Sequence, residues 1–428
     1  MGKFVINGRK PVSGVHRVPG NKNAALPMIA AAMLADGPVT LEEVPDIADV
    51  ATMLEIAAAL GADVSRDRAA RTATIHAARI RRTSLPPELA ARIRTSVLFA
   101  GPLLARCGSV SMPHPGGDGI GRRRIDTHFA GLSAMGARMP RSGRTYSLKA
   151  QALHGAEMVL DEASVTATEN ILCAAAATEG RTVIYNAACE PHVQDLCRML
   201  SAMGAGIEGA GTNRLTVEGR AALHGCTARV GSDTIEAASY MAAALATGGD
   251  LTLENVDPAA FSILERHFRR FGVRWQMDAG KRTLRVPRQR LSMEYDLGDA
   301  IPSLADGPWP MFPSDLVSVF IVLATQARGT CLFFEKMFES RMYFVDHLIG
   351  MGAKIVACDP HRVVVTGPTR LQGSTVTSPD IRAGMALIIA ALCAKGRTEI
   401  YNAGSIDRGY ASVDKELSAL GADIVRED

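Results

Sequence analysis

One glycine-centred phrase recurs six times along the chain, and that recurrence constrains the fold more than any other feature. It reads LGADV (60–64), MGARM (135–139), MGAGI (203–207), FGVRW (271–275), MGAKI (351–355) and LGADI (420–424). Its glycines are Gly61, Gly136, Gly204, Gly272, Gly352 and Gly421, with spacings of 75, 68, 68, 80 and 69 residues. A period that long marks duplicated supersecondary units rather than a short-period solenoid.

Each unit follows the same grammar. An Ala-rich apolar stretch comes first: NAALPMIAAAML, TSVLFAGPLLAR, TENILCAAAAT, ASYMAAALAT, DLVSVFIVLATQ and AGMALIIAALCA. These stretches are apolar nearly all round and predict buried helices. A glycine and a strand follow, as in GPVTLEEV, GRTVIYNA, GDLTLENV and GRTEIYNA. A second, amphipathic helix comes next. In EPHVQDLCRMLSAMGA, Val193, Leu196, Cys197, Leu200 and Met203 fall on one face. Helices that are apolar on every side need sheets outside them, so the layering is inverted relative to ordinary α/β folds. The reading is an α/β chain of two domains, each an inside-out α/β barrel of three units. One domain spans 22–229. The other is discontinuous, 1–21 plus 230–428, its first segment completing the C-terminal sheet.

Composition bounds the partners. The 428 residues are 47% hydrophobic and 21% charged, with net charge +3. That is globular, and too nearly neutral to argue for nucleic acid or a membrane surface. The triple arginine Arg122–Arg124, with no aromatic neighbours, does not alter this. The eight cysteines contain no CxxC pair and no metal spacing with the ten histidines, so they read as reduced thiols of a cytoplasmic protein. MGKFVINGRK reads as a strand and not a signal peptide. The longest apolar run, 383–394, is short for a membrane span.

No Ser/His/Asp triad, Walker loop or zinc motif is present, and the glycines of GGDGIG do not match a dinucleotide fingerprint. What stands out is a set of cations at unit edges: Lys22, Arg94, Arg123, Arg341, Arg382 and Arg408. Each alone reads as an ordinary surface or capping charge. Together, if the two domains face each other, they line a cleft suited to a phosphate or carboxylate ligand. Asp118, in PHPGGDGIGRRR, is then either a general acid or nucleophile on a Gly-rich loop, or simply the cap of a turn. Asp315, in FPSDL, is a second candidate, and a helix N-cap is its plainer reading.

Seven motifs in order carry a resemblance across about residues 3–425: GNKNAALPMIAAAML, PGGDGIGRRRIDTHFAGLSAMGA, SVTATEN, FPSDL, FESR, DIRAG and IDRGY. They resemble the enolpyruvyl transferases, on the UDP-sugar branch. The resemblance implies a fold of two inside-out barrels. It also implies transfer of the enolpyruvyl group of phosphoenolpyruvate to a hydroxyl, with release of phosphate and without metal or cofactor. Its substrates would be phosphoenolpyruvate and a uridine nucleotide.

By motif, Lys22, Arg123 and Arg408 would hold phosphoenolpyruvate, and Arg94, Arg341, Asp380 and Arg382 would complete the charged wall. Asp118 stands where most members carry a cysteine that donates a proton and is alkylated by fosfomycin; some members carry aspartate. Asn23 and Asp315 would contact the acceptor, with Asp315 as base. Arg123, Asp126, His128, Ser164 and Val165 would take the nucleotide.

Two departures fall in the nucleotide shell: Arg124 replaces a usual proline and Thr166 a usual glycine. The acceptor therefore stays open between UDP-N-acetylglucosamine, in peptidoglycan precursor synthesis, and another uridine nucleotide such as UMP, in nucleoside-antibiotic assembly. A silent nucleotide-binding regulator is the third reading.

Overall fold

Apolar sequence on every face leaves a helix no side to show to water, and the helices here are accordingly covered. In the computed structural model, which describes residues 2–427 apart from 118, 122 and 140–144, they run Lys22–Ala32, Ala100–Cys107, Val165–Ala176, Thr234–Thr247, Ser314–Gln326 and Ile381–Cys393. In Ile381–Cys393 every residue but the last is buried. Among the described residues no helix is long and apolar enough to cross a membrane.

The chain divides into two units. One comprises Met1–Pro19, Gly119–Arg122 and Ser232–Asp428. Inside it the helices Thr234–Thr247, Ser314–Gln326 and Ile381–Cys393 pack on one another. Phe320 meets Phe268, Phe312 and Phe271 in tilted or edge-on contacts at 4.6, 4.8 and 5.5 Å. Such pairs add about 0.5–1.5 kcal/mol each beyond the area they bury. The other unit comprises Gly20–Asp118 and Arg123–Gly231. There Lys22–Ala32 packs on Val165–Ala176, and the 3-10 turn Arg94–Phe99 lies against both.

Five four-stranded sheets repeat one pattern, a parallel pair at one edge and two antiparallel pairs. Ser303–Ala305 runs parallel to Gly329–Phe334, which is antiparallel to Arg362–Gly367, itself antiparallel to Lys354–Asp359. The sheet of Ser109–Pro113 and Thr145–Lys149 keeps this order with its edges reduced to single bridges, Ser84 to Ser111 and Arg138 to Lys149. Burial alternates along strands such as Thr72–His76, because one face of each sheet covers the helices. At the N-terminus, Lys3–Asn7 lies between Arg397–Tyr401 and Asp423–Glu427, and Gly14–Arg17 runs parallel to Leu251–Glu254.

The six recurring glycines all have positive φ, between 72° and 114°. They end a helix and start a strand in a conformation that side chains resist, which is why the phrase repeats. One expectation is corrected. TSVLFAGPLLAR is not a single helix: Arg94–Phe99 is a 3-10 turn, and the α-helix begins at Ala100. Pro102 has no N–H for the Leu98 carbonyl, so the preceding turn closes with tighter bonds.

Candidate active site

Lys22, Arg94, Arg341 and Arg382 each occupy the first or second residue of a helix or 3-10 turn. A helix start carries unsatisfied N–H groups and positive potential, so a cation there works against the helix and an anion is favoured. All four are buried, at 8, 8, 4 and 5% exposure. Capping does not explain such a placement, and three of the four meet carboxylates of the protein instead: Lys22 meets Asp49, and Arg341 and Arg382 meet Asp315.

In the unit of Gly20–Gly231, Lys22 Nζ lies 2.8 Å from the buried carboxylate of Asp49. The Asn23 backbone N–H donates to Asn21 Oδ1 at 2.7 Å, capping the same helix. Arg94 lies beneath the glycine loop. Its Nη2 donates to the carbonyls of Arg123 and Arg124 at 2.5 and 3.0 Å. Burial, reinforced by Arg123 nearby, pulls its guanidinium down to about 10, which leaves it charged at neutral pH. A Cβ on Gly116 would stand 1.8 Å from the Ala91 carbonyl oxygen, and Gly117 has φ +116°. These two glycines let the loop backbone rest on the segment from Ala91 to Arg94. Asp118 and Arg122 lie outside the described residues.

The proposed nucleotide shell is held by its own side chains. Arg124 Nε donates to both Asp126 oxygens at 3.2 and 2.9 Å, and its Nη2 also bonds Asp126. Asn170 fixes the state of His128. The Asn170 Oδ1 accepts the Gly101 N–H, so its amide nitrogen is the donor to His128 Nδ1 at 3.0 Å. The ring proton is therefore on Nε2, which donates to the Thr166 hydroxyl at 3.1 Å. Burial, with Arg94 adding to it, lowers His128 to about 3, so the ring is neutral. Ser164 caps the helix Val165–Ala176, its hydroxyl accepting the Ala167 N–H. Val165 and Thr166 form that helix's first turn.

In the other unit the carboxylate of Asp315 joins two buried guanidiniums. Arg341 Nη2 donates to Oδ1 at 3.2 Å; Arg382 Nε and Nη2 donate to Oδ2 at 3.0 and 2.8 Å. Burial works against the charge of Arg382, but Asp315 and Tyr410 more than offset it and raise its pKa. Asp315 is not a cap. Pro313 occupies the N-cap position, with no side-chain cap bond. Asp380, by contrast, caps the helix Ile381–Cys393, accepting the N–H groups of Arg382 and Ala383. Arg408 follows the short helix Ala403–Ile406, and the neighbouring carboxylate of Asp407 binds Arg426.

Over residues 6–417 the chain matches the family model described as EPSP synthase (3-phosphoshikimate 1-carboxyvinyltransferase). The chain belongs to the EPSP synthase family. It is 50% identical to the UDP-N-acetylglucosamine 1-carboxyvinyltransferase of Treponema pallidum over the full length of both chains. With the protein of that name from Borreliella burgdorferi it shares 49% over 99% of both. Among solved structures it resembles the enolpyruvyl transferase NikO from Streptomyces tendae, with TM-score 0.88 and 25% identity over 99% of this chain and 98% of that one. The EPSP synthase of Acinetobacter baumannii shares the fold, with TM-score 0.76 at 19% identity over both whole chains.

Within this family member, the structure brings together Asp315, Arg341 and Arg382 in one unit, and Arg94, Arg123 and Arg124 in the other. The sequence alone does not single out Asn170, Asp49 or Tyr410. Asn170 stands in the quoted SVTATEN, but nothing in the sequence pairs it with His128, 42 residues away. Tyr410 ends IDRGY; its hydroxyl accepts from Arg382 at 3.2 Å and lies 3.0 Å from Ser239 Oγ.

Proposed function

We propose that this protein transfers the enolpyruvyl group of phosphoenolpyruvate to a hydroxyl of UDP-N-acetylglucosamine and releases phosphate, a step in peptidoglycan precursor synthesis in the cytoplasm. The observation that carries the chemistry is the Asp315 carboxylate held between two buried arginines at a helix start. The acceptor is supported by relatives of that name, 42–50% identical over at least 99% of this chain. In this reading the two units are inside-out α/β barrels.

The acceptor oxygen bonds to C2 of phosphoenolpyruvate as Asp315 takes the hydroxyl proton, and Asp118 delivers a proton to C3. C3 then loses a proton, the C2–O bond to phosphate breaks and the double bond returns. The acid and base act on different atoms, so both must be held in place. Lys22, Arg94, Arg123, Arg341, Arg382 and Arg408 neutralise the phosphate and carboxylate of the donor. Asn23, Arg123, Arg124, Asp126, His128, Ser164, Val165 and Thr166 take the acceptor, with the helix start at Ser164 suited to its diphosphate.

A second reading, transfer to a nucleotide such as UMP, is favoured by the self-bonded Arg124–Asp126 and His128–Thr166 pairs. The test is phosphate release from phosphoenolpyruvate with each acceptor, with the product mass measured. Release with UDP-N-acetylglucosamine is expected. Release with UMP alone selects the second reading, and none with either refutes both.

A further inference from the structure

Asp306 and Glu335 have no part in the roles assigned above. Each is the first residue past a strand, Ser303–Ala305 and Gly329–Phe334, and these strands run parallel with Ala305 opposite Phe334. That register sets the two carboxyl groups side by side, and both residues are 0% exposed. One Asp306 oxygen accepts the Lys336 N–H; the other has no N–H or O–H donor. Glu335 accepts from the Ser314 hydroxyl at 2.9 and 3.0 Å and from the N–H groups of Met337 and Phe338 at 3.0 Å each. Two adjacent buried carboxylates strongly oppose double ionisation, and one proton held by the pair removes that repulsion.

We propose that Asp306 and Glu335 hold one proton between them and that this pair positions Arg341, and through it Asp315, for the transfer reaction. The inference rests on the reading of Asp315 as base. Arg341 is the link. Its Nε lies 3.8 Å from Glu335 Oε2, its Nη1 donates to the Ser314 carbonyl at 3.3 Å, and its Nη2 donates to Asp315. One guanidinium thus faces a carboxyl group on each side. With one proton on the pair, the buried charge opposite Asp315 is a single negative charge. Loss of that proton adds a second, which draws Arg341 toward Glu335 and away from Asp315.

Burial, reinforced by Asp306, holds Glu335 up at about 8, so the proton leaves in mildly alkaline solution. Other charged or titratable neighbours are His361, whose Nδ1 is 2.8 Å from the Glu335 carbonyl, Lys336 and Arg362, both over the Phe334 ring, and Asp359, which accepts from the His361 N–H and from Arg362. Arg382 holds the far side of Asp315.

The test compares wild type, Asp306→Asn, Glu335→Gln and Asp315→Asn in phosphate release from pH 6 to about 10, with pH-difference infrared spectra of the first three. The amide of Asp306→Asn mimics the protonated member, so the alkaline fall of kcat/KM moves up by at least about one pH unit. Glu335→Gln lowers kcat roughly 10- to 100-fold by misplacing Arg341. The wild-type minus Asp306→Asn infrared spectrum contains a protonated-carboxyl band at neutral pH. Absence of that band, or an unmoved alkaline limb in Asp306→Asn, overturns the proposal. Should Glu335→Gln fail to fold, the wild-type infrared titration still decides whether the proton is there. Turnover retained by Asp315→Asn refutes the base assignment alone, because the infrared band is read without turnover.

Discussion

Removing the carboxylate of Asp315 should separate chemistry from stability in one experiment. Its oxygens receive three N–H bonds, from Arg341 at 3.2 Å and from Arg382 at 3.0 and 2.8 Å. Asp315→Ala leaves both guanidiniums without that partner, and breaking a fully buried ion pair costs about 3–5 kcal/mol. The Asp315 side chain is 27% exposed, so water screens part of the loss and roughly 2–3 kcal/mol is expected. At about 2–4 °C per kcal/mol, Tm falls by roughly 4–12 °C. Loss of a general base costs about 10²–10⁴ in kcat, or about 2.7–5.5 kcal/mol. Asp315→Asn keeps an oxygen acceptor and the side-chain shape, so its Tm falls less, whereas its kcat falls as far. Nucleotide affinity, measured by calorimetry, stays within about tenfold for both, because the base acts mainly in the transition state. Scanning calorimetry and phosphate release on both variants supply the readings. An Asp315→Asn enzyme with kcat within about threefold of wild type would refute the role of Asp315 as base.

Three further outcomes are expected. Thr166→Gly with Arg124→Pro removes the Thr166 partner of His128 Nε2–H and the Arg124 partner of Asp126 and raises activity on UDP-N-acetylglucosamine relative to UMP; an unchanged ratio means that both departures are silent. Wild type resists fosfomycin, Asp118→Cys retains turnover and gains time-dependent inactivation, and Asp118→Asn loses turnover, because a thiolate attacks the epoxide far faster than a carboxylate and an amide cannot cycle a proton; wild-type kcat in Asp118→Asn removes the residue from the mechanism. Burial opposes the charge of His16, but Glu236 and Glu416 at 3.2 and 3.4 Å win and raise it to about 9. Its folded pKa is above the unfolded 6.5, so its stabilisation is complete below about pH 6.5 and lost by about pH 9. The Tm gap between wild type and His16→Gln should close over that window, and a gap constant with pH would refute the linkage.

The six-unit rhythm was legible in the sequence because it is local. A glycine that must adopt positive φ and a helix apolar on all sides leave their mark within a dozen residues, wherever the unit lies. The cations were legible for the same reason, as charges beside helix starts. Their partners were not. Arg382 follows Asp380 in the chain, yet Asp380 turns its carboxylate to the helix N–H groups and Arg382 reaches Asp315, 67 residues away. His128 owes its neutral tautomer to Asn170, 42 residues on. Asp306 and Glu335 meet only because two parallel strands end in register. Short-range pattern settles which residues form helices, turns and charged edges, because those choices depend on neighbours a few positions away. Strand register and helix packing settle which charges meet, and both depend on contacts between segments far apart in the chain, so the pairings that tune this site were decided by the tertiary structure alone.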